Sequence, residues 1–224
     1  MSAPTARGPA QTGGAADCGA SRSQLLIDGF LPSYDLAVVH ARVFRAPPDG
    51  CFAAARSLDL FEVPLIRTLL DLRGLPKRLA GALTGKGNAS EASRRTFRLD
   101  DMVGLGWILL GDTPGVEMVL GQVSRPWKPV ATSTGAPLTP DKFATFDQPG
   151  FAKIAVSLRV DPYGRGSSIL TVETRVALTD DESRRRFRRY WFLISPFSDL
   201  IRRMSLRVLA TKLASPEGPE LSSK

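Results

Sequence analysis

The sequence predicts an α+β fold: a curved antiparallel β-sheet wrapped around one long C-terminal helix. Three patterns carry that expectation. Two late segments alternate apolar and polar residues as half-buried strands do. An early β-branched segment runs straight into a proline-led helix. The last ordered segment repeats apolar residues every three or four positions, which gives a helix one continuous apolar stripe.

In chain order, residues 1–24 are rich in Ala, Gly, Ser, Thr and Pro and are expected to form a disordered tail. One domain is expected over 25–214, because no repeat or long linker divides that span, and a second disordered tail over 215–224. Leu36–Arg45 reads as the first strand, with Val38, Val39, Val43 and Phe44 supplying β-branched and aromatic character. It stops at Ala46-Pro47-Pro48, since a residue before proline is held extended. Pro48 and Asp49 suit the opening of a helix carried on by Cys51–Leu58. Val63, Ile66, Leu69 and Leu70 have the spacing of a second helix, which Gly74 ends. Lys77–Ser93, with Gly81, Gly85, Gly87 and Asn88, reads as a loop.

Strands are then expected at Arg94–Leu99, Gly104–Leu110, Val116–Val123, Phe151–Val160 and Ile169–Leu178. Along the last two, Ile154, Val156, Leu158 and Val160 share a face opposite Lys153, Ser157 and Arg159. Likewise Leu170, Val172, Val176 and Leu178 oppose Thr171, Glu173 and Arg175. A sheet with one apolar and one polar face must cover the apolar one. The cover is the final helix, Asp180–Leu213, capped by Thr179 or Asp180. Its stripe is Phe187, Tyr190, Trp191, Ile194, Phe197, Ile201, Met204 and Val208. Pro196 is expected to kink it near Phe192–Ser195 or to break it in two.

Composition narrows the function classes. The chain has 224 residues, 43% hydrophobic and 23% charged, enough to bury a core and too apolar for a disordered protein. Two cysteines, Cys18 and Cys51, are too few for a disulfide scaffold, which favours a reducing, cytoplasmic setting. With His40 the single histidine, a His/Cys zinc site lacks ligands, and no metal or cofactor is expected. Gly85-Lys86 lacks the spacing and the Ser/Thr of a phosphate loop, and no Gly-x-Ser-x-Gly elbow occurs.

The net charge is +8, and its placement is uneven. Arg184–Lys212 holds nine basic residues against the single acid Asp199, so this one segment accounts for the whole excess. Such a run is ordinarily a solvated face. Beside an apolar pocket, Arg188, Arg189, Arg202 and Arg203 could instead dock the helix on an anionic membrane surface. Nucleic acid is not expected as a partner, because the stripe aromatics fall opposite the arginines, where bases could not stack.

Several segments together resemble a known group. They are His40-Ala41-Arg42-Val43-Phe44-Arg45-Ala46-Pro47-Pro48, Asp147-Gln148-Pro149-Gly150-Phe151-Ala152-Lys153, Thr171-Val172-Glu173-Thr174-Arg175-Val176, and the Arg188-Arg189-Tyr190-Trp191 to Pro196-Phe197-Ser198 helix. Over about 34–213 the chain resembles the START-like (Bet v 1-like, SRPBCC) superfamily of helix-grip proteins. Within it, the chain is similar to small bacterial proteins described as polyketide cyclase/dehydrase-like or lipid-transport-like.

The resemblance implies an elongated cavity between sheet and helix. Its walls are expected from Met118, Leu120, Val156, Leu158, Val172 and Val176 on strands and Tyr190, Trp191 and Ile194 on the helix. Trp107 joins them if its strand faces inward. The partner is then a hydrophobic small molecule such as a lipid, isoprenoid or polyketide-like compound, bound or carried without reaction. Ordinary core packing explains the same spacing equally well.

The group's other description implies a cyclase or dehydratase, with His40 moving protons together with Tyr190 or Glu173. Against it, His40 reads as a paired or solvated strand residue, and Glu173 with Arg175 as an outward-facing pair. Asp100 and Asp101 point oppositely if on a strand and suit a helix cap, and Asp147 suits a turn.

Overall fold

The structure, a computed structural model, describes residues 25–62, 97–128 and 138–214. The helix expected from Val63, the loop 77–93, both tails and the start of the strand expected at Arg94 lie outside those residues. In chain order the described elements begin with helix α1 (Leu26–Phe30), strand β1 (Leu36–Phe44) and helix α2 (Pro48–Arg56). Short 3-10 turns follow at Leu60–Glu62 and Asp100–Leu105, then strands β2 (Ile108–Thr113) and β3 (Glu117–Ser124). Helix α3 (Pro140–Ala144), strands β4 (Ala152–Pro162) and β5 (Ser168–Leu178) and helix α4 (Asp181–Ala214) complete them.

The five strands form one sheet in the order β1-β5-β4-β3-β2, with every neighbouring pair antiparallel. Register aligns His40 with Val172, Val172 with Leu158, and Leu158 with Met118 in one row across four strands. Because successive residues alternate faces, every second row brings Leu120, Val156, Leu170 and Val176 to that same side. Helices α2 and α4 cover it. Phe52 and Ala55 of α2 and Leu206 and Leu209 of α4 pack on Met118, Leu158, Val160 and Leu170 in the main core. The α+β architecture expected from the pattern, an antiparallel sheet with a long C-terminal helix, is thus present.

Helix α4 is fastened at several points. Asp180 caps it: Oδ1 accepts from the Ser183 backbone N–H at 2.8 Å, and Oδ2 accepts from Ser183 Oγ and the Gly150 N–H. The bonds from Ser183 and Gly150 hold the Asp180 carboxyl well below the usual carboxylate range. Further along, Arg42 Nη1 of β1 donates to the Leu206 carbonyl, and Lys212 pairs with Glu62 at 2.7 Å. The helix runs unbroken through Pro196, contrary to the expected division. Pro196 is exposed, so water can serve the Phe192 carbonyl that the missing N–H leaves without its helical partner.

Three further expectations change. Phe97–Leu99 is not a strand; the Asp59 side chain accepts the Phe97 N–H at 2.8 Å, and the chain passes into a 3-10 turn. The strand expected from Gly104 starts only at Ile108, since Gly106 takes φ 89° at the end of that turn, in the left-handed region that favours glycine. The face expected to be polar and solvated is covered as well. Ile27 and Leu31 near α1 and Phe143 of α3 pack on Val119, Val123 and Ala155.

That second core buries polar side chains and satisfies them. Ser157 Oγ donates to Glu117 Oε1 at 2.7 Å, and the Leu26 N–H donates to Glu117 Oε2 at 2.9 Å. Arg175 donates to Glu173 and Asp28, each at 2.6 Å, and to the Leu31 carbonyl, with the Tyr34 ring 4.8 Å away. A β-bulge between Leu109 and Gly111 accompanies Leu110 on this side. Gly121 makes room there: a Cβ on it would lie 2.6 Å from Leu110 Cδ1.

Candidate ligand cavity

Between the α2/α4 side of the sheet and helix α4 lies a cavity of about 450 Å³. Its position follows from the packing. The main core closes on Leu206 and Leu209 toward the helix C-terminus, and a smaller cluster closes on Phe187 toward the N-terminus. Between those ends the apolar side chains of sheet and helix leave the space open. At the N-terminal end Phe187 stacks on Trp191 at 5.9 Å and lies 6.0 Å from Tyr190.

All ten residues expected to form the walls line this space. Met118 and Leu120 come from β3, Val156 and Leu158 from β4, and Val172 and Val176 from β5. Tyr190, Trp191 and Ile194 come from α4. Trp107 reaches it from the residue after Gly106 rather than from a strand, its N–H donating to the Met102 carbonyl at 3.2 Å.

The sequence reading missed the polar part of the wall: Thr174, Ser198, Arg202 and Ser205 also line the cavity. The signal was there. Thr174 sits between Val172 and Val176 on one strand face, and Ser198 and Arg202 continue from Ile194 in steps of four on one helix face. Ile201, in the expected stripe, lines the cavity too, whereas Phe197 does not and is exposed.

Arg202 is the largest correction. Its place in the basic run groups it with the outward arginines, yet it is partly buried and lines the cavity. Its Nη1 donates to Ser198 Oγ at 2.9 Å and its Nη2 to Thr174 Oγ1 at 3.1 Å. Burial pushes its pKa down, and nearby Asp199 opposes that shift. Asp199 is itself engaged elsewhere: Oδ1 meets His40 Nε2 at 2.5 Å, and Oδ2 meets Arg203 Nε at 2.9 Å. Those contacts, His40 first, hold the Asp199 carboxyl below its usual range.

The three residues weighed for proton transfer do not converge. Tyr190 lines the cavity. His40 pairs with Asp199 and does not line it, and its Nδ1 is buried without a hydrogen-bond partner among the described residues. Glu173 lies on the opposite sheet face, bound to Arg175, so it cannot share a substrate with Tyr190.

Asp100 and Asp101 have structural partners. Asp100 pairs with Arg56 at 3.1 Å, and Asp101 accepts the Arg98 N–H at 2.8 Å. Among the described residues no three His, Cys, Asp or Glu side chains gather as a metal site would require. No helix there is long and apolar enough to cross a membrane.

The outer side of α4 is not wholly polar. Phe192 is 85% exposed and Leu193 67%, with Phe197 and Leu200 also exposed beside them. Arg188, Arg189 and Arg203 are exposed on the same helix. The expectation that the stripe aromatics lie opposite the arginines therefore fails at Phe197, and Phe192, outside the stripe, is exposed as well.

No family model matches the chain, and no curated protein matches it. Among solved structures, the chain is similar to the crystal structure of TTHA0849 from Thermus thermophilus. The likeness has 11% sequence identity and a TM-score of 0.25, and covers 80% of this chain and 94% of that one. At that score it carries no argument about fold or function.

Proposed function

We propose that this chain is a helix-grip protein of the START-like type that binds, and carries, one hydrophobic small molecule between its sheet and its C-terminal helix. The observation behind this reading is the cavity of about 450 Å³, walled mainly by Leu, Ile, Val, Met and Trp side chains. Ligand sites for small molecules are typically roughly 300–1,000 Å³ and mostly apolar, with a few polar groups that fix orientation. A guest that buries about 200 Å² of apolar surface gains roughly 5 kcal/mol before association entropy is subtracted.

The cyclase or dehydratase alternative has less support. Of His40, Glu173 and Tyr190, only Tyr190 lines the cavity. The binding reading is tested with the neutral dye Nile red. One dye per chain is expected, bound more weakly by an Ile194→Trp variant that narrows the cavity. Undiminished dye binding by that variant would contradict the reading.

The exposed side of α4 supports an accompanying proposal, contact with an anionic membrane surface. Phe192, Leu193, Phe197 and Leu200 are apolar and exposed, and the exposed Arg188 and Arg189 complement anionic headgroups. Leu193 and Leu200 offer nothing to a nucleic-acid base but fit an acyl layer. Arg202, turned to the cavity, drops out of this surface.

A further inference from the structure

Within the cavity reading, on which this inference rests, the ligand's polar end can be assigned. We propose that Arg202 is the anchor for a carboxylate, so that the ligand is a monocarboxylate with a long apolar tail, as in a fatty acid.

Three observations lead there. First, the guanidinium stands in a wall that is otherwise nearly all hydrocarbon, and its two hydrogen-bonded side-chain partners are the neutral hydroxyls of Ser198 and Thr174. A guanidinium has five N–H donors, so these two bonds leave donors to spare for a ligand. Second, no carboxylate pairs with Arg202 among the described residues, whereas Arg184, Arg185, Arg186 and Arg203 of the same helix all have one. The neighbouring acid is committed: both oxygens of Asp199 are occupied, by His40 and Arg203. Third, a partly buried cation with no carboxylate in contact is costly, and a ligand anion placed beside it relieves that cost.

The two hydroxyl contacts fix the guanidinium plane, which suits it to the fork-to-fork geometry of a carboxylate. A single guanidinium neutralises one negative charge. A phosphate monoester, with nearly two, would require a second cation, and the adjacent Arg203 is exposed and held by Asp199. The apolar walls from Ile194, Val156 and Leu120 then accept the tail.

The test is calorimetric binding of palmitate and of its neutral methyl ester to the full chain and to Arg202→Gln. The wild type is expected to bind palmitate roughly ten- to a hundredfold more tightly than the ester, the range of a charge-assisted hydrogen-bonded pair. Arg202→Gln is expected to abolish that preference while it keeps ester binding, and Arg202→Lys to restore part of it. Equal wild-type affinity for acid and ester overturns the anchor without touching the cavity. So does a preference that survives in Arg202→Gln. If neither ligand binds the wild type, the cavity reading fails and the anchor with it. The wild-type comparison stands by itself should Arg202→Gln not fold.

Discussion

His40 on β1 and Asp199 on α4 meet through Nε2 and Oδ1 at 2.5 Å, a contact between residues 159 positions apart. It ties an edge strand to the long helix and occupies one oxygen of Asp199, while Arg203 takes the other. His40 thus has a structural partner and stands outside the cavity wall.

From this, His40→Ala is expected to loosen the helix and leave ligand binding largely intact. The melting temperature should fall by a few degrees, at about 2–4 °C per kcal/mol for a chain of this length. Nile red affinity should change by less than about tenfold, the equivalent of 1.4 kcal/mol. Thermal melts and dye titration check both. Complete loss of binding with an unchanged melt would place His40 in the site after all.

Wall and core residues should respond in opposite ways. Phe52→Ala, at a residue 5% exposed in the main core and outside the cavity lining, is expected to cost about 3–5 kcal/mol of stability. Ile194→Trp, at the cavity, should weaken ligand binding and cost little, because the larger ring enters existing space. Urea unfolding and dye binding, measured on both variants, separate the two effects.

Acid should weaken the helix cap. The Asp180 carboxyl is held low in the folded state, mainly by the Ser183 and Gly150 N–H groups. A depressed folded value means stabilisation that is complete above the usual carboxylate range of about 4 and lost as pH falls toward the folded value. Asp180→Asn should therefore flatten the pH dependence of stability below about pH 4, since it keeps an acceptor but cannot titrate. Asp180→Ala should lose about 0.5–2 kcal/mol at neutral pH. Denaturation curves across pH distinguish the variants.

Membrane contact should need both the aromatic and the basic parts of the exposed helix side. Sedimentation with phosphatidylglycerol vesicles is expected to retain the wild type and to release Phe192→Ser/Leu193→Ser and Arg188→Gln/Arg189→Gln. Binding should weaken as ionic strength rises, because the Debye length shrinks from about 10 Å at 0.1 M to 3 Å at 1 M. Equal retention on neutral phosphatidylcholine, or by the arginine variant, would contradict a role for charge.

Much of the frame was legible because alternation and spacing are local signals. Val156, Leu158, Val172 and Val176 declared a strand face, and Tyr190, Trp191 and Ile194 a helix face, and the two faces enclose the cavity. What failed depended on distant parts of the chain. Lys153, Ser157 and Arg175 are polar yet buried, because α1, from far upstream, and α3, just before β4, cover that face. Trp107 reached its place through a left-handed Gly106 rather than a strand. Arg202 was hidden by its company: among so many arginines its charge implied solvent, while its four-residue step from Ser198 already put it inside.

The central claim is that the space between sheet and α4 holds a guest, and native mass spectrometry of the chain purified from its own host tests it most directly. The account predicts one bound small molecule per chain, released on collisional activation and present at lower occupancy in the Ile194→Trp variant. A chain that flies bare, and stays bare after incubation with methyl palmitate, would contradict it.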